Sequence, residues 1–146
     1  MRILPSLSLC VLATACGPKL IPNTQIADTP ETHAVLELVG RYRTAVEARN
    51  PEGLLAVVSH NYFDKNLDYT ALAGELPKKF ALVKIDKLDL EVKNVTVKND
   101  EALVDVYYIE HYLLALPSGE TWQQRSDDSR FTLRREEGAW KIVAGL

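Results

Sequence analysis

Cysteine and clustered basic residues are scarce in this chain of 146 residues, and each scarcity excludes a class of protein. Cysteine occurs only at positions 10 and 16, too few for a disulfide framework or a thiolate zinc site. Lys and Arg number 17 against 20 acidic residues and form no basic patch, which argues against nucleic-acid binding. The three histidines lack metal-ligand spacing, and no glycine-rich phosphate loop occurs. We therefore expect no metal, no cofactor and no nucleic-acid partner.

Residues 1–15 have the features of an export signal. Arg2 gives a positive start, an apolar run continues to Val11, and Ala13 and Ala15 supply the small residues of a cleavage site. The apolar run is shorter than the roughly 20 residues that span a membrane. The pattern predicts a signal peptide at 1–15 that is cleaved after Ala15.

The cysteine that follows these small residues makes the segment resemble the signal of bacterial lipoproteins. The resemblance implies that Cys16 receives a diacylglyceryl group and anchors the protein in a lipid bilayer. Gly17 follows instead of the aspartate that signals inner-membrane retention, so the implied address is the outer membrane, facing the periplasm. An ordinary secretory site would cleave the same bond and leave Cys16 as a free thiol. With either signal Arg2 and Cys10 are removed, so the formal charge changes from −3 to −4.

The remaining chain divides into a short polar segment and one domain. Residues 17–27 contain two prolines and no apolar periodicity. We therefore expect a lipidated N-terminus and tether at 16–27 and a single domain at 28–146, a length that can bury a core without disulfides.

Helix-start residues predict three helices in the first half of the domain. The segment that begins at Asp28 opens an apolar stripe that continues to about Arg49. Asn50 starts a short second helix, and Asp68 starts a third that Pro77 is expected to kink or end.

The second half of the domain changes to the two-residue period of β-strands. Leu88, Leu90 and Val92 alternate with charged residues, and Val95 reverses the parity, so a bulge is expected near Asn94. Turn-forming residues separate this strand from three more. Helices followed by an antiparallel sheet make an α+β domain. The predicted core comprises Leu38, Val39, Tyr42, Val46, Leu54, Tyr62, Leu90, Val92, Val104, Val106, Phe131, Leu133, Trp140 and Ile142.

Several segments make residues 31–146 resemble the nuclear transport factor 2-like superfamily, also called SnoaL-like. They are Arg49-Asn50-Pro51 after the first helix, Tyr62-Phe63 after the second, and segments 130–135 and 138–142 near the end. The resemblance implies a cone in which a curved antiparallel sheet wraps around three N-terminal helices. In this superfamily the open end often holds a ligand or a catalytic site, and many members catalyse no reaction, so the fold alone says little about activity.

Three residues are candidates for catalysis. Glu110 lies on the predicted inner face of a strand, where an apolar cone would raise its pKa and suit it to act as a base; a structural ion pair near the rim is the alternative. His60 follows the second helix and is a candidate proton carrier, or else a helix-end group. Asp127 shares the parity of Phe131, so it can face the pocket. Residues expected to line a ligand pocket are Tyr62, Tyr108, Glu110, Tyr112 and Trp122.

Two classes of function fit these observations. The first is a non-enzymatic envelope lipoprotein whose cone binds a small apolar ligand or a protein partner. The second is a small isomerase or dehydratase that uses a pocket acid such as Glu110. A second polar group within hydrogen-bond reach of Glu110 in a pocket would favour the enzyme. A cone filled by its own side chains would favour the first class.

The opposite face of the same long strand is also unusually apolar. Leu103, Tyr107, Ile109 and Leu113 share the outward parity, where a surface strand normally carries polar residues. Such a patch is typical of an interaction site, and the resemblance implies homodimerisation through this face. The alternative is that another part of the chain covers the patch.

Overall fold

The structure, a computed structural model, describes residues 17–146. The expected signal peptide and the lipidation site Cys16 lie outside the described residues. Within residues 17–146, no helix is both long enough and apolar enough to cross a membrane.

Three helices precede the main sheet, and their first turns are capped as the sequence predicts. The side chains of Thr29, Asn50 and Asp68 each accept a main-chain N–H at the start of a helix, which satisfies a donor that the helix leaves free. The helices are α1 (Pro30–Glu47), α2 (Pro51–Leu55) and α3 (Tyr69–Ala81).

Of the two outcomes expected at Pro77, a kink or an end of the third helix, the end does not occur. Pro77 lies inside α3, which continues to Ala81. A proline costs the helix one main-chain hydrogen bond. Leu76 and Phe80, on either side of it, are buried in the core. Their packing holds the last turn against the sheet, since tertiary contacts decide the stability of short helical segments.

Four long antiparallel strands form the main sheet in the order in which they occur along the chain. The predicted bulge is confirmed, because the register between the first two strands shifts between Val92 and Asn94. Asn99 adopts a positive φ of 54° in the first hairpin turn. The strands are β3 (Val83–Lys98), β4 (Glu101–Leu116), β5 (Gly119–Glu136) and β6 (Ala139–Ala144), and a separate small pair is formed by β1 (Phe63–Asp64) and β2 (Leu67–Asp68).

The core lies between the helices and the inner face of this curved sheet, so the α+β architecture is confirmed. Tyr42, Leu90 and Val92 are half-buried and pack against the core, and the other predicted core residues are all buried. The main chain after α2 is tied to β6, since Ser59 N–H donates to the Ile142 carbonyl at 2.9 Å.

The segment just before α1 is folded onto the domain rather than free of it. Leu20 and Ala27 form an antiparallel bridge, and the Ile21 N–H donates to the Ile26 carbonyl at 2.9 Å. Ile26 is only 2% exposed and belongs to the core. Part of the stretch expected to be a tether therefore contributes apolar burial, which its lack of periodicity concealed.

Candidate functional site

A cavity of about 720 Å³ opens between the helices and the inner face of the sheet. This volume lies within the range of roughly 300–1,000 Å³ found for small-molecule sites. The cone is therefore not filled by its own side chains. Apolar groups from α1, α3 and the sheet form much of the wall, among them Tyr42, Leu72, Leu76, Phe80, Leu88, Leu90 and Phe131.

Glu110 is the buried acid of this wall. It lies on β4, where it pairs in register with Leu88 on β3 and with Arg125 on β5, and it is 2% exposed. Arg125 donates from Nε to Glu110 Oε2 in a short charge-assisted hydrogen bond. The Arg125 guanidinium also lies 5.7 Å from the centre of the Tyr108 ring. Arg125 and Glu110 therefore form an ion pair across β4 and β5.

Asp86 on β3 is a second buried acid, which the sequence analysis did not identify. It pairs in register with Tyr112, is 6% exposed, and lines a smaller cavity of about 210 Å³ together with Glu110. Burial, together with the charge of Glu110 and a hydrogen bond to it, raises the pKa of Asp86 to about 7. Asp86 Oδ1 has no hydrogen-bond partner among the described residues. At neutral pH Asp86 therefore spends much of its time protonated.

The alternation of inward-facing and outward-facing residues along β3 could have identified Asp86. Asp86 lies two residues before Leu88, so its side chain points to the inner face of the sheet like those of Leu88 and Leu90. The alternating pattern was predicted to start at Leu88, whereas β3 begins at Val83. A charged residue that continues a buried apolar series is the informative exception.

Lys79 from α3 borders the same acids. It lines both cavities, as Glu110 and Arg125 do. Burial, with a further contribution from the charge of Arg125, lowers the pKa of Lys79. The wall shared by the two cavities is thus built from two cations and a carboxylate, with Asp86 beside them.

Tyr42 from α1 completes the inner end of the large cavity. Its ring meets the Phe131 ring edge-on, with the ring centres 5.2 Å apart and an angle of 65° between the planes. Burial and the charge of Glu110 raise the pKa of Tyr42, so its hydroxyl stays neutral and can donate a hydrogen bond.

The residues predicted to form the site are only partly brought together. Tyr108 and Glu110 line the large cavity and Tyr112 the smaller one. Asp127 lies at the exposed rim, opposite Tyr108, where its Oδ1 accepts the Asp128 N–H at 2.8 Å. Tyr62 is buried in the core at 2% exposure, outside both cavities, and its hydroxyl has no partner within residues 17–146.

His60 and Trp122 lie away from the cavity, contrary to expectation. His60 stacks on Tyr69 with ring centres 4.3 Å apart, in a separate shallow depression. Trp122 pairs with Leu113 on the outer face of the sheet and is 57% exposed. Neighbouring residues of a strand point to opposite faces, so Trp122 cannot face the cavity when Arg125, an odd number of positions away, does. In the part of the chain that is described, no group of three or more His, Cys, Asp or Glu side chains could hold a metal ion.

Solved structures share this architecture. A candidate dehydratase of the NTF2-like family from Streptomyces avermitilis is 16% identical, with a TM-score of 0.66 over 80% of this chain and 95% of that one. The chain has the nuclear transport factor 2-like fold. A candidate aromatic ring hydroxylase from Novosphingobium aromaticivorans is 19% identical, with a TM-score of 0.67 over 77% and 84% of the two chains. A candidate scytalone dehydratase from the same organism is 15% identical, with a TM-score of 0.65 over 79% and 80%. These identities support the fold and not a shared activity. No protein-family model and no curated protein matches the chain.

Proposed function

We propose that the cone binds a small, largely apolar molecule and that Asp86 and Glu110 move a proton on it, as an isomerase or a dehydratase does. The observation that supports this most is the acid pair. Asp86 has a pKa near 7 and an unpartnered oxygen, and it lies against Glu110, which is hydrogen-bonded to Arg125. Two acids whose surroundings push their pKa values apart supply one proton donor and one acceptor at the same pH.

A dehydration carried out by Asp86 and Glu110 leaves the number of protons on the two side chains unchanged. The Glu110 carboxylate takes the proton from a carbon beside a carbonyl group, while the Asp86 carboxyl gives its proton to the leaving hydroxyl. One C–H and one C–O bond break, a C=C bond forms, and water leaves. The pair still holds one proton, now on Glu110, and the hydrogen bond between the two side chains returns it to Asp86.

A carrier without chemistry is the second candidate, and the ion pair of Glu110 with Arg125 supports it. A carboxylate held in this way is less available to take a proton from carbon. In this case the cavity binds the same class of molecule and releases it unchanged.

One assay separates the two candidates. The probe is a β-hydroxy ketone with a phenyl group, whose dehydration gives a conjugated enone with strong ultraviolet absorbance. The enzyme proposal predicts enone formation that Asp86→Asn lowers by about 100-fold or more, the usual contribution of a general acid. Asp89→Asn, an exposed position on the same strand, is the control and should retain the rate. Saturable binding of the probe without enone formation would support the carrier instead.

The N-terminal sequence supports export and lipidation of Cys16, and with them attachment to a bilayer, most simply the outer membrane facing the periplasm. Gly17 and Pro18, the first residues that the structure describes, are exposed. Intact-mass analysis of the membrane fraction should detect an acylated N-terminal cysteine. A soluble mature protein with an unmodified Cys16 would contradict the proposal.

The outer sheet face supports a homodimer. Leu103 is 38% exposed there, Tyr107, Ile109 and Leu113 are half-buried, and the exposed Trp122 extends the patch. Analytical sedimentation should detect a dimer that Tyr107→Glu combined with Ile109→Lys dissociates. A monomer at every concentration, with the same behaviour in the double variant, would exclude it.

A further inference from the structure

The wall between the two cavities carries more positive charge than its own acids neutralise. Of the charged residues that line both cavities, Lys79 and Arg125 are cations and Glu110 is the one acid. Both cationic side chains are exposed, Arg125 to 49%, so an anion that enters the cavities can reach them. The charge count therefore leaves room for one anion.

Both cations have bonding capacity to spare. Within residues 17–146, the Arg125 guanidinium makes one side-chain hydrogen bond, from Nε to Glu110, so its two terminal nitrogens can bind a further acceptor. Lys79 forms no ion pair with any described residue, whereas Lys78 beside it pairs with Glu75 at 2.9 Å. An arginine fork and an ammonium group together suit a carboxylate.

We infer that the site takes a small carboxylate with an apolar body, its charged group held between Lys79 and Arg125 and its body lying in the large cavity. The inference rests on the proposed small-molecule function and names the class of molecule. The apolar walls from α3 and the sheet fit the body, and the shared wall is where the two cations converge.

The bound anion should change how the acid pair titrates. The groups that face Asp86 are Lys79 from α3, Tyr42 from α1, Glu110 and Tyr112 from β4, and Arg125 from β5. A further negative charge among them disfavours ionised Asp86. Binding near neutral pH therefore takes up a proton, and affinity for the carboxylate falls as the pH rises above about 7.

Calorimetric titration of the purified protein with octanoate and with n-octanol tests the inference. The probes share a chain length and differ in the charged group. We expect octanoate to bind at least about tenfold tighter than octanol at pH 6, which is a difference of one charge-assisted contact. This preference should shrink at pH 8, and proton uptake should appear as a dependence of the measured heat on the buffer.

Two lysine variants provide the matched comparison. Lys79→Met should weaken octanoate about tenfold and leave octanol unchanged. Lys87→Met, at an exposed lysine on β3 that lines neither cavity, should leave both affinities unchanged. Equal effects of the two variants on octanoate would overturn the inference.

The probes also separate this inference from the proposed function. Octanol that binds as tightly as octanoate at both pH values would overturn the carboxylate inference and leave the small-molecule cavity standing. Failure of both probes to bind at concentrations up to about 1 mM would overturn both, since even weak specific ligands bind in that range.

Discussion

The carboxyl groups of Asp86 and Glu110 lie within hydrogen-bond reach on the inner face of the sheet, one diagonal step apart across β3 and β4. Two carboxylates can share a hydrogen bond only when one of them is protonated. Arg125 donates to Glu110, and Asp86 is the acid whose pKa is raised to about 7, so we place the shared proton on Asp86. This asymmetry gives the site an acid and a base at neutral pH.

Asp86→Asn should make stability less dependent on pH. The pKa of Asp86 is about 7 in the folded protein and near its ordinary value of 3.8 in the unfolded chain. At pH values between these two pKa values, the folded state therefore binds one proton more than the unfolded chain does. The free energy of unfolding thus falls as the pH rises from about 4 to about 7. Above that range the ionised side chain is a cost that asparagine avoids. Urea unfolding at pH 8 should find Asp86→Asn more stable by on the order of 1 kcal/mol, with little difference at pH 4.

The exposed Asp89 on the same strand is the control for this experiment. Asp89→Asn should follow the wild-type pH profile. If Asp86→Asn is no more stable than the wild type at pH 8, ionised Asp86 does not destabilise the folded protein, and the prediction is contradicted.

Truncation of the two tryptophans to alanine should cost very different amounts of stability. Trp140 on β6 is 6% exposed and lies under the Arg135 guanidinium, 4.8 Å from its ring centre. Trp140→Ala should cost about 3–5 kcal/mol, from lost burial and the cavity it leaves. Trp122→Ala, on the outer face, should cost less than about 1 kcal/mol in the monomer. A cost near zero for Trp140→Ala in denaturant unfolding would contradict the placement of β6.

Gly145 should tolerate no side chain. Its φ is +104°, and a Cβ there would lie 2.0 Å from the Arg130 carbonyl oxygen. Gly145→Ala should destabilise the protein by about 1–3 kcal/mol through backbone strain and displacement of the chain end beside the cavity. Gly40→Ala in α1, where the added methyl group has open space, should be neutral or stabilising. Thermal unfolding of both variants beside the wild type measures the two effects.

Local sequence signals predicted the elements of the fold well. Asn50 and Asp68 cap their helices because a short acceptor side chain satisfies a nearby N–H, which requires no knowledge of the rest of the fold. The bulge near Asn94 followed from a change of parity within a single strand. Whether the third helix ends at Pro77 stayed open in the sequence, because the packing of neighbouring residues, which outweighs the lost hydrogen bond, is not a local property.

The site was harder to predict because it depends on the pairing between strands. Glu110 was found from its parity alone, but its partners Asp86 and Arg125 come from two other strands and meet it only through the register. Trp122 could have been placed correctly, since it has the opposite parity to Phe131 on a strand whose pairing with β4 shows no bulge. Tyr62 was assigned to both core and pocket, and burial in the core is what the structure shows.

The most direct test of the acid pair is a carbon-13 NMR titration of the Asp86 carboxyl group in the wild-type protein and in Glu110→Gln. The account predicts a midpoint near pH 7 in the wild type, because burial and Glu110 raise the pKa of Asp86 to about 7. In Glu110→Gln the midpoint should move to lower pH, since the neighbouring charge is gone. A wild-type midpoint near the ordinary aspartate value of 3.8, unchanged in the variant, would contradict the shared proton and the chemistry built on it.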